Sequence, residues 1–232
     1  MLLGPQNLPE RVAAVRRRMA EAAARAGRST QSVTLLAVTK GKPPELVRAA
    51  AACGLTDFGE SYLQEALPKL DALRDLSLAW HYVGRVQANK TRAIAERFAW
   101  VHALDREKIA ARLSAARSPH LPPLNVCLQV NVAAEDTKGG VAPEGLEALA
   151  RAVAALPRLK LRGLMCIPPE ETLAARQLAW FTELSRLYAA LNARGAGLDT
   201  LSMGMSGDFE AAIEAGATIV RVGTALFGPR QQ

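Results

Sequence analysis

One lysine and two small-residue loops carry the chemistry that is legible in this chain. Lys40 closes an apolar run, 33–39, and stands where a strand end would present it as a nucleophile. A lysine amine has an ordinary pKa of about 10.4 and is mostly protonated near neutrality. Partial burial and nearby cations lower that value and free the amine to condense with an aldehyde. Far along the sequence, LSMGMSGDFEAAIEAGATIVRVGTALFG (201–228) sets Ser202 at the end of one apolar run. Arg221, Gly223 and Thr224 stand at the end of the next. Glycine lets backbone N–H groups approach an anion closely and hydroxyls add donors, so Ser202, Gly223 and Thr224 suit a phosphate. Arg221 shares strand parity with Gly223, which turns both toward one interior.

The elements that must position these residues alternate along the whole chain. A first helix covers about 8–26, with Asn7 as its expected N-cap and Glu10 three residues on; Leu8, Val12, Val15 and Met19 form its apolar stripe. Eight strand candidates follow at 33–39, 56–59, 79–84, 100–103, 124–131, 161–166, 200–203 and 218–222, separated by Ala/Leu/Arg-rich helical segments. Continuous apolar strands are what a parallel sheet buried on both faces requires. Eight such units in 232 residues predict a single closed (β/α)8 TIM-type barrel with an extra N-terminal helix, rather than an open doubly wound sheet. No Pro/Gly/Ser-rich linker divides the chain, so residues 1–232 read as one domain.

In such a barrel the C-terminal strand ends share one mouth, where chemistry is normally found. In order they present Lys40, Glu60 and Ser61, His81, His102, Asn131, Met165 and Cys166, Ser202, then Arg221, Gly223 and Thr224. Taken alone, Lys40 is an ordinary solvated loop lysine and Arg221 an ion-pair partner for Glu60 or Asp208. Taken together, an amine, a phosphate cradle and an arginine for a pyridine nitrogen are the parts that pyridoxal phosphate (PLP) needs. A Schiff-base aldolase acting on a sugar phosphate would use Lys40 without a cofactor, but it leaves Arg221 without a role.

Composition narrows the remaining classes. The net charge of +7 is concentrated in the first helix, at Arg11, Arg16, Arg17, Arg18, Arg25 and Arg28, and reads as a solvated face. Aromatics are only 5% of the chain, so the stacking surface that nucleic-acid binding calls for is not expected. Cys53, Cys127 and Cys166 are scattered in apolar runs and read as reduced, buried thiols of a cytoplasmic protein. No run reaches the roughly 18 apolar residues of a membrane helix, and MLLGPQNLPERV lacks a secretory h-region. His81, His102 and His120 show no metal-ligand spacing, and Gly204 and Gly207 do not complete a dinucleotide fingerprint.

Seven ordered blocks then carry a specific resemblance: LLAVTKGKP (35–43), DFGESYLQEALPK (57–69), WHYVGRVQANKTR (80–92), VHALDREKIA (101–110), LQVNVAAEDTKGG (128–140), RGLMCIP (162–168) and the 201–228 segment. With them the chain resembles the pyridoxal phosphate homeostasis protein family, a single-domain relative of the alanine racemase N-terminal barrel. The resemblance implies that Lys40 holds PLP as an internal aldimine and that Arg221 meets the pyridine nitrogen. It assigns Ser202, Gly223 and Thr224 to the phosphate, and Met165 and His81 to the pocket lining. The family's usual FGEN is FGES here, so Ser61 keeps a hydroxyl where an amide is common. Lys138, in EDTKGG, matches a lysine usual in the family and reads as a surface-loop residue.

An arginine opposite the pyridine nitrogen keeps that nitrogen unprotonated and weakens the ring as an electron sink. Racemisation also needs an acid/base residue on each face of the substrate. In alanine racemases one of these comes from a C-terminal β domain, and none is expected after Gln232. The resemblance therefore implies an intracellular PLP carrier that stores, buffers or delivers the cofactor to apo-PLP enzymes, without strong turnover. The alternative is a weak amino-acid racemase or a related PLP enzyme.

Overall fold

The computed structural model describes residues 7–135, 139–169 and 171–229; Lys138 lies outside them. Eight strands close into a parallel barrel in chain order. They are β1 (Thr34–Val38), β2 (Asp57–Glu60), β3 (Ala79–Tyr82), β4 (Trp100–Leu104), β5 (Leu124–Gln129), β6 (Leu159–Met165), β7 (Thr200–Ser202) and β8 (Ile219–Val222). Each overlaps its expected run, and β8 returns to β1 with Thr34 opposite Ile219 and Leu36 opposite Arg221. Closure leaves no strand edge unpaired, and helices cover the outer face.

The helices are α1 (Leu8–Arg25), α2 (Pro44–Ala52), α3 (Leu63–Ala72), α4 (Thr91–Arg97), α5 (Glu107–Ala116), α6 (Leu146–Ala154), α7 (Ala174–Ala193), α8 (Phe209–Glu214) and α9 (Thr224–Phe227). Their inner faces follow the helical period; α6 buries Leu146, Leu149, Ala150 and Val153. The buried hydrophobic core is a shell between helices and sheet, including Ala37, Phe58, Val101, Val126, Leu164 and Val220 from the strands.

One expectation for α1 is corrected and another narrowed. Asn7 occupies the N-cap position, but its backbone (φ −103°, ψ 7°) is not extended and its side chain makes no capping bond. The basic face of α1 is solvated, with Arg16, Arg17 and Arg25 exposed, but most of its arginines also reach partners on neighbouring elements. Arg11 donates to the Leu226 carbonyl (3.1 Å), Arg16 to Gly54 (2.8 Å) and Arg28 to Ile213 (2.9 Å). Arg18 pairs with Glu210 at 2.6 Å and lies over the Phe209 ring, and Arg25 pairs with Glu214 at 2.8 Å. Arg11, Arg18 and Arg25, with Arg28 just past the helix end, fasten the extra helix across α8 and α9, next to the last two strands, while Arg16 ties it to the turn after α2.

Among the described residues no helix is long and apolar enough to cross a membrane. Cys127 and Cys166 are buried, and burial pushes both thiols up to about 12, which makes them poor nucleophiles. Cys53 is half-buried.

Candidate cofactor site

Along a barrel strand every second residue points inward. At the C-terminal mouth those positions enclose a cavity of about 270 Å³ lined by Val38, Lys40, Ser61, Val83, Ile167, Met205, Ser206, Gly207, Arg221, Gly223 and Thr224. The structure thus brings Lys40, Ser61, Arg221, Gly223 and Thr224 to one space, as expected. A larger cavity of about 470 Å³ lies at the opposite end, among Arg16, Met19, Thr30, Thr34, Thr56 and Asp57, away from the lysine and both glycine loops.

Three expected residues lie deeper in the barrel than the cavity wall. Ser202 is fully buried and bonded to His102 and Arg221; the next loop's Ser206 lines the cavity instead. His81 is buried beneath Val83, bonded to Asp57 and His102. Met165 is buried with Ala103 and Cys127, and Ile167 lines the cavity two residues on. Because the pleat repeats every two residues, each strand offers several inward positions, and only the last of them reaches the mouth. The repeated small polar residues of MSGD were the signal for Ser206.

The lysine is set in place from below. Lys69 donates to the Thr39 carbonyl (2.8 Å) and pairs with Glu60 (2.5 Å), which also accepts from the Thr39 hydroxyl (2.6 Å). Burial raises the Glu60 pKa against the pull of Lys69, and its second oxygen, Oε2, has no partner. This buried pair grips the residue just before Lys40. Lys42 is committed elsewhere, donating to the Phe227 (3.1 Å) and Pro229 (2.9 Å) carbonyls. Gly84 allows the loops after β2 and β3 to touch, since a Cβ there would collide with the Ser61 carbonyl.

At the other wall the donors suit a phosphate. Among the described residues the N–H groups of Gly207 and Thr224 have no protein acceptor. The Ser206 oxygen accepts from the Ala225 N–H at 3.2 Å, leaving its proton to donate. Arg221 donates to the Ser202 carbonyl (2.6 Å), the Ser202 hydroxyl (2.9 Å) and the Cys166 carbonyl (2.9 Å). A guanidinium has five N–H donors, so two remain for the cavity. The expected alternative of an ion pair with Glu60 or Asp208 is not met among the described residues: Glu60 is held by Lys69, and Asp208 accepts from the Met205 N–H. Amine, anion cradle and cationic donor fit PLP by their chemistry. Among the described residues no cluster of three His, Cys, Asp or Glu is arranged to hold a metal.

The buried histidines make the fold acid-sensitive. Burial holds His81 below the ordinary histidine value, and burial together with His81 and Arg221 holds His102 well below it. In the unfolded chain both titrate near about 6.5. Below that value the unfolded state binds protons that the fold refuses, so stability is lost as pH falls from there toward the depressed values. Glu60 and Asp208, both raised by burial, act in the opposite sense, but the two imidazoles, whose ordinary value falls inside the range probed, set the net sign. The urea midpoint of the cofactor-free protein is therefore expected to fall between about pH 7.5 and about pH 5.5; a midpoint that rises would contradict neutral burial.

A closed parallel barrel with a lysine after its first strand and a donor cradle after its last two defines a class, the alanine racemase N-terminal domain, whose family matches residues 11–231. Within that class the chain belongs to the pyridoxal phosphate homeostasis protein family. It is 59% identical to the Pseudomonas aeruginosa member over 97% of this chain and 96% of that protein. Identity to the Escherichia coli K12 member is 46%, over 97% of each. PipY from Synechococcus elongatus PCC7942, solved with PLP bound, shares 36% identity at a TM-score of 0.83, covering 95% of this chain and 100% of that one. Alanine racemase from Corynebacterium glutamicum, at 19% identity and a TM-score of 0.67, shows likeness of fold alone; 94% of this chain spans 60% of it.

Proposed function

We propose that this chain binds PLP covalently through Lys40 and serves cytoplasmic PLP homeostasis as a single-domain store and donor of the cofactor to apo-PLP enzymes. One observation carries the reading: Lys40, Arg221 and the Ser206–Gly207/Gly223–Thr224 loops line the same cavity. PLP bound by the solved PipY relative and the names of the curated relatives support it.

When bound, PLP supplies an aldehyde carbon that takes up primary amines and a ring able to draw electrons from the adduct. Each residue has a part in handling it. The Lys40 amine holds the aldehyde carbon and keeps it from reacting at random. Ser206, Thr224 and the Gly207 N–H hold the phosphate dianion. Val38, Val83 and Ile167 give the ring apolar walls, and Ser61 offers a hydroxyl beside it. Arg221, whose guanidinium stays charged, presents a donor to the ring nitrogen; a donor there leaves that nitrogen no proton of its own and blunts its electron demand.

Transfer and turnover separate this role from the racemase alternative. PLP-loaded protein is expected to reactivate an apo-transaminase while leaving the Cα proton of L-alanine unexchanged with solvent deuterium. Rapid exchange by NMR that disappears in Lys40→Ala would favour an enzyme instead.

A further inference from the structure

Deep in the barrel, beneath the cavity, lies a row of polar side chains that none of the binding steps uses. His81 Nε2 is 3.2 Å from Asp57 Oδ1, and His81 Nδ1 is 2.9 Å from His102 Nε2. His102 Nδ1 is 2.7 Å from the Ser202 hydroxyl, which accepts from Arg221 at 2.9 Å. The members come from β2, β3, β4, β7 and β8, so the row crosses the interior. At one end Asp57, a quarter exposed, opens on the cavity at the N-terminal ends of the strands. At the other end Arg221 opens on the mouth.

We propose that Asp57, His81, His102 and Ser202 form a one-way hydrogen-bond relay that fixes the protons around Arg221, and that they are positioning residues for the cofactor's ring end. This rests on the reading that Arg221 faces the PLP ring.

The direction follows from the acceptor-only end. The Asp57 carboxylate can only accept, so His81 Nε2 carries a proton, and with both imidazoles neutral the Ser202 hydroxyl, which accepts from Arg221, donates its own proton to His102 Nδ1. A neutral imidazole that accepts on one nitrogen carries its proton on the other, so His102 Nε2–H donates to His81 Nδ1. By the same rule His81 Nε2–H donates to the Asp57 carboxylate. Every link points from the cation toward the anion. Ring stacking of His81 on Trp100, with centroids 5.3 Å apart, keeps the imidazole in plane for both bonds.

The charged surroundings agree with two neutral imidazoles. His81 faces Asp57 and His102; His102 faces His81, Ser202 and the field of Arg221. Behind Trp100, Arg162 lies over the indole ring and is paired with Asp199. Burial alone would raise the Asp57 pKa, but bonds from His81 and Thr56 hold it below the usual value, so the far end stays anionic. Adding one proton to His81 would force His102 to accept on Nε2 and donate on Nδ1. The Ser202 hydroxyl would then have to turn away from His102. A change at the Asp57 end is thereby passed to the atom that holds Arg221.

Long-range ¹H–¹⁵N NMR of the cofactor-free protein at about pH 7.5 reads the relay directly. The expected spectrum has both histidines protonated on Nε2 and bare on Nδ1. Asp57→Ala removes the terminal acceptor and should lower that tautomer preference at His81 about fivefold, the population change one ordinary hydrogen bond supports. His102 should follow in the same direction. Asp57→Asn keeps an acceptor oxygen and should restore the preference, which a general loss of packing would not do. In PLP-loaded protein, Asp57→Ala should also shift the pH midpoint of the visible band, and Asp57→Asn should shift it less. His102 protonated on Nδ1 in the unmodified protein, or tautomers and band indifferent to Asp57→Ala, would overturn the relay. A band that never depends on Lys40 would overturn the binding reading while leaving the tautomers to judge the row.

Discussion

Lys40→Ala is expected to abolish the visible absorption band of the PLP-loaded protein and to convert tight retention into loss of cofactor on gel filtration. The size of the effect comes from chemistry. Among the described residues, two further lysines stand nearby: Lys42 holds the Phe227 and Pro229 carbonyls, and Lys69 is sealed against Glu60. Neither lines the cavity. Without the Lys40 amine only the phosphate and ring contacts remain. The measurement is a spectrum and a cofactor-to-protein ratio after desalting. A variant that keeps both its color and its cofactor would remove Lys40 from the site.

The second large effect concerns the phosphate. Ser206→Ala combined with Thr224→Val removes two hydroxyl donors from the cradle. Each charge-assisted bond contributes about 1.5–3 kcal/mol, so the pair should weaken PLP binding by roughly 10²–10⁴-fold. Pyridoxal, which lacks the phosphate, should lose little. Ser202→Ala is the informative control. Its hydroxyl is spent on His102 and Arg221, so its removal should not discriminate between the two ligands. Equal losses of PLP and pyridoxal in the double variant would place the phosphate elsewhere.

The barrel was legible in the sequence because its strands are continuous apolar runs at regular spacing, and closure follows from their number. Lys40, Arg221, Gly223 and Thr224 were legible because each ends such a run. Depth was not. Ser202 ends β7 and Ser206 lies in the loop that follows, and only three-dimensional placement shows that the first bonds Arg221 while the second lines the mouth. The depth of His81 and Met165 was hidden for the same reason: strand parity says which way a side chain points, not how far it lies from the rim. The arginines of α1 posed a different problem. The targets of Arg11, Arg18 and Arg25 are a carbonyl and carboxylates near the far end of the chain, Leu226, Glu210 and Glu214, and nothing local to 8–25 announces contacts at that separation.

The proposed covalent hold of Lys40 on PLP is tested most directly by borohydride reduction followed by peptide mapping. Reduction of PLP-loaded protein should bleach the visible band and leave a pyridoxyl group on Lys40 alone. An adduct mapped to another lysine, with Lys40 unmodified, would contradict it.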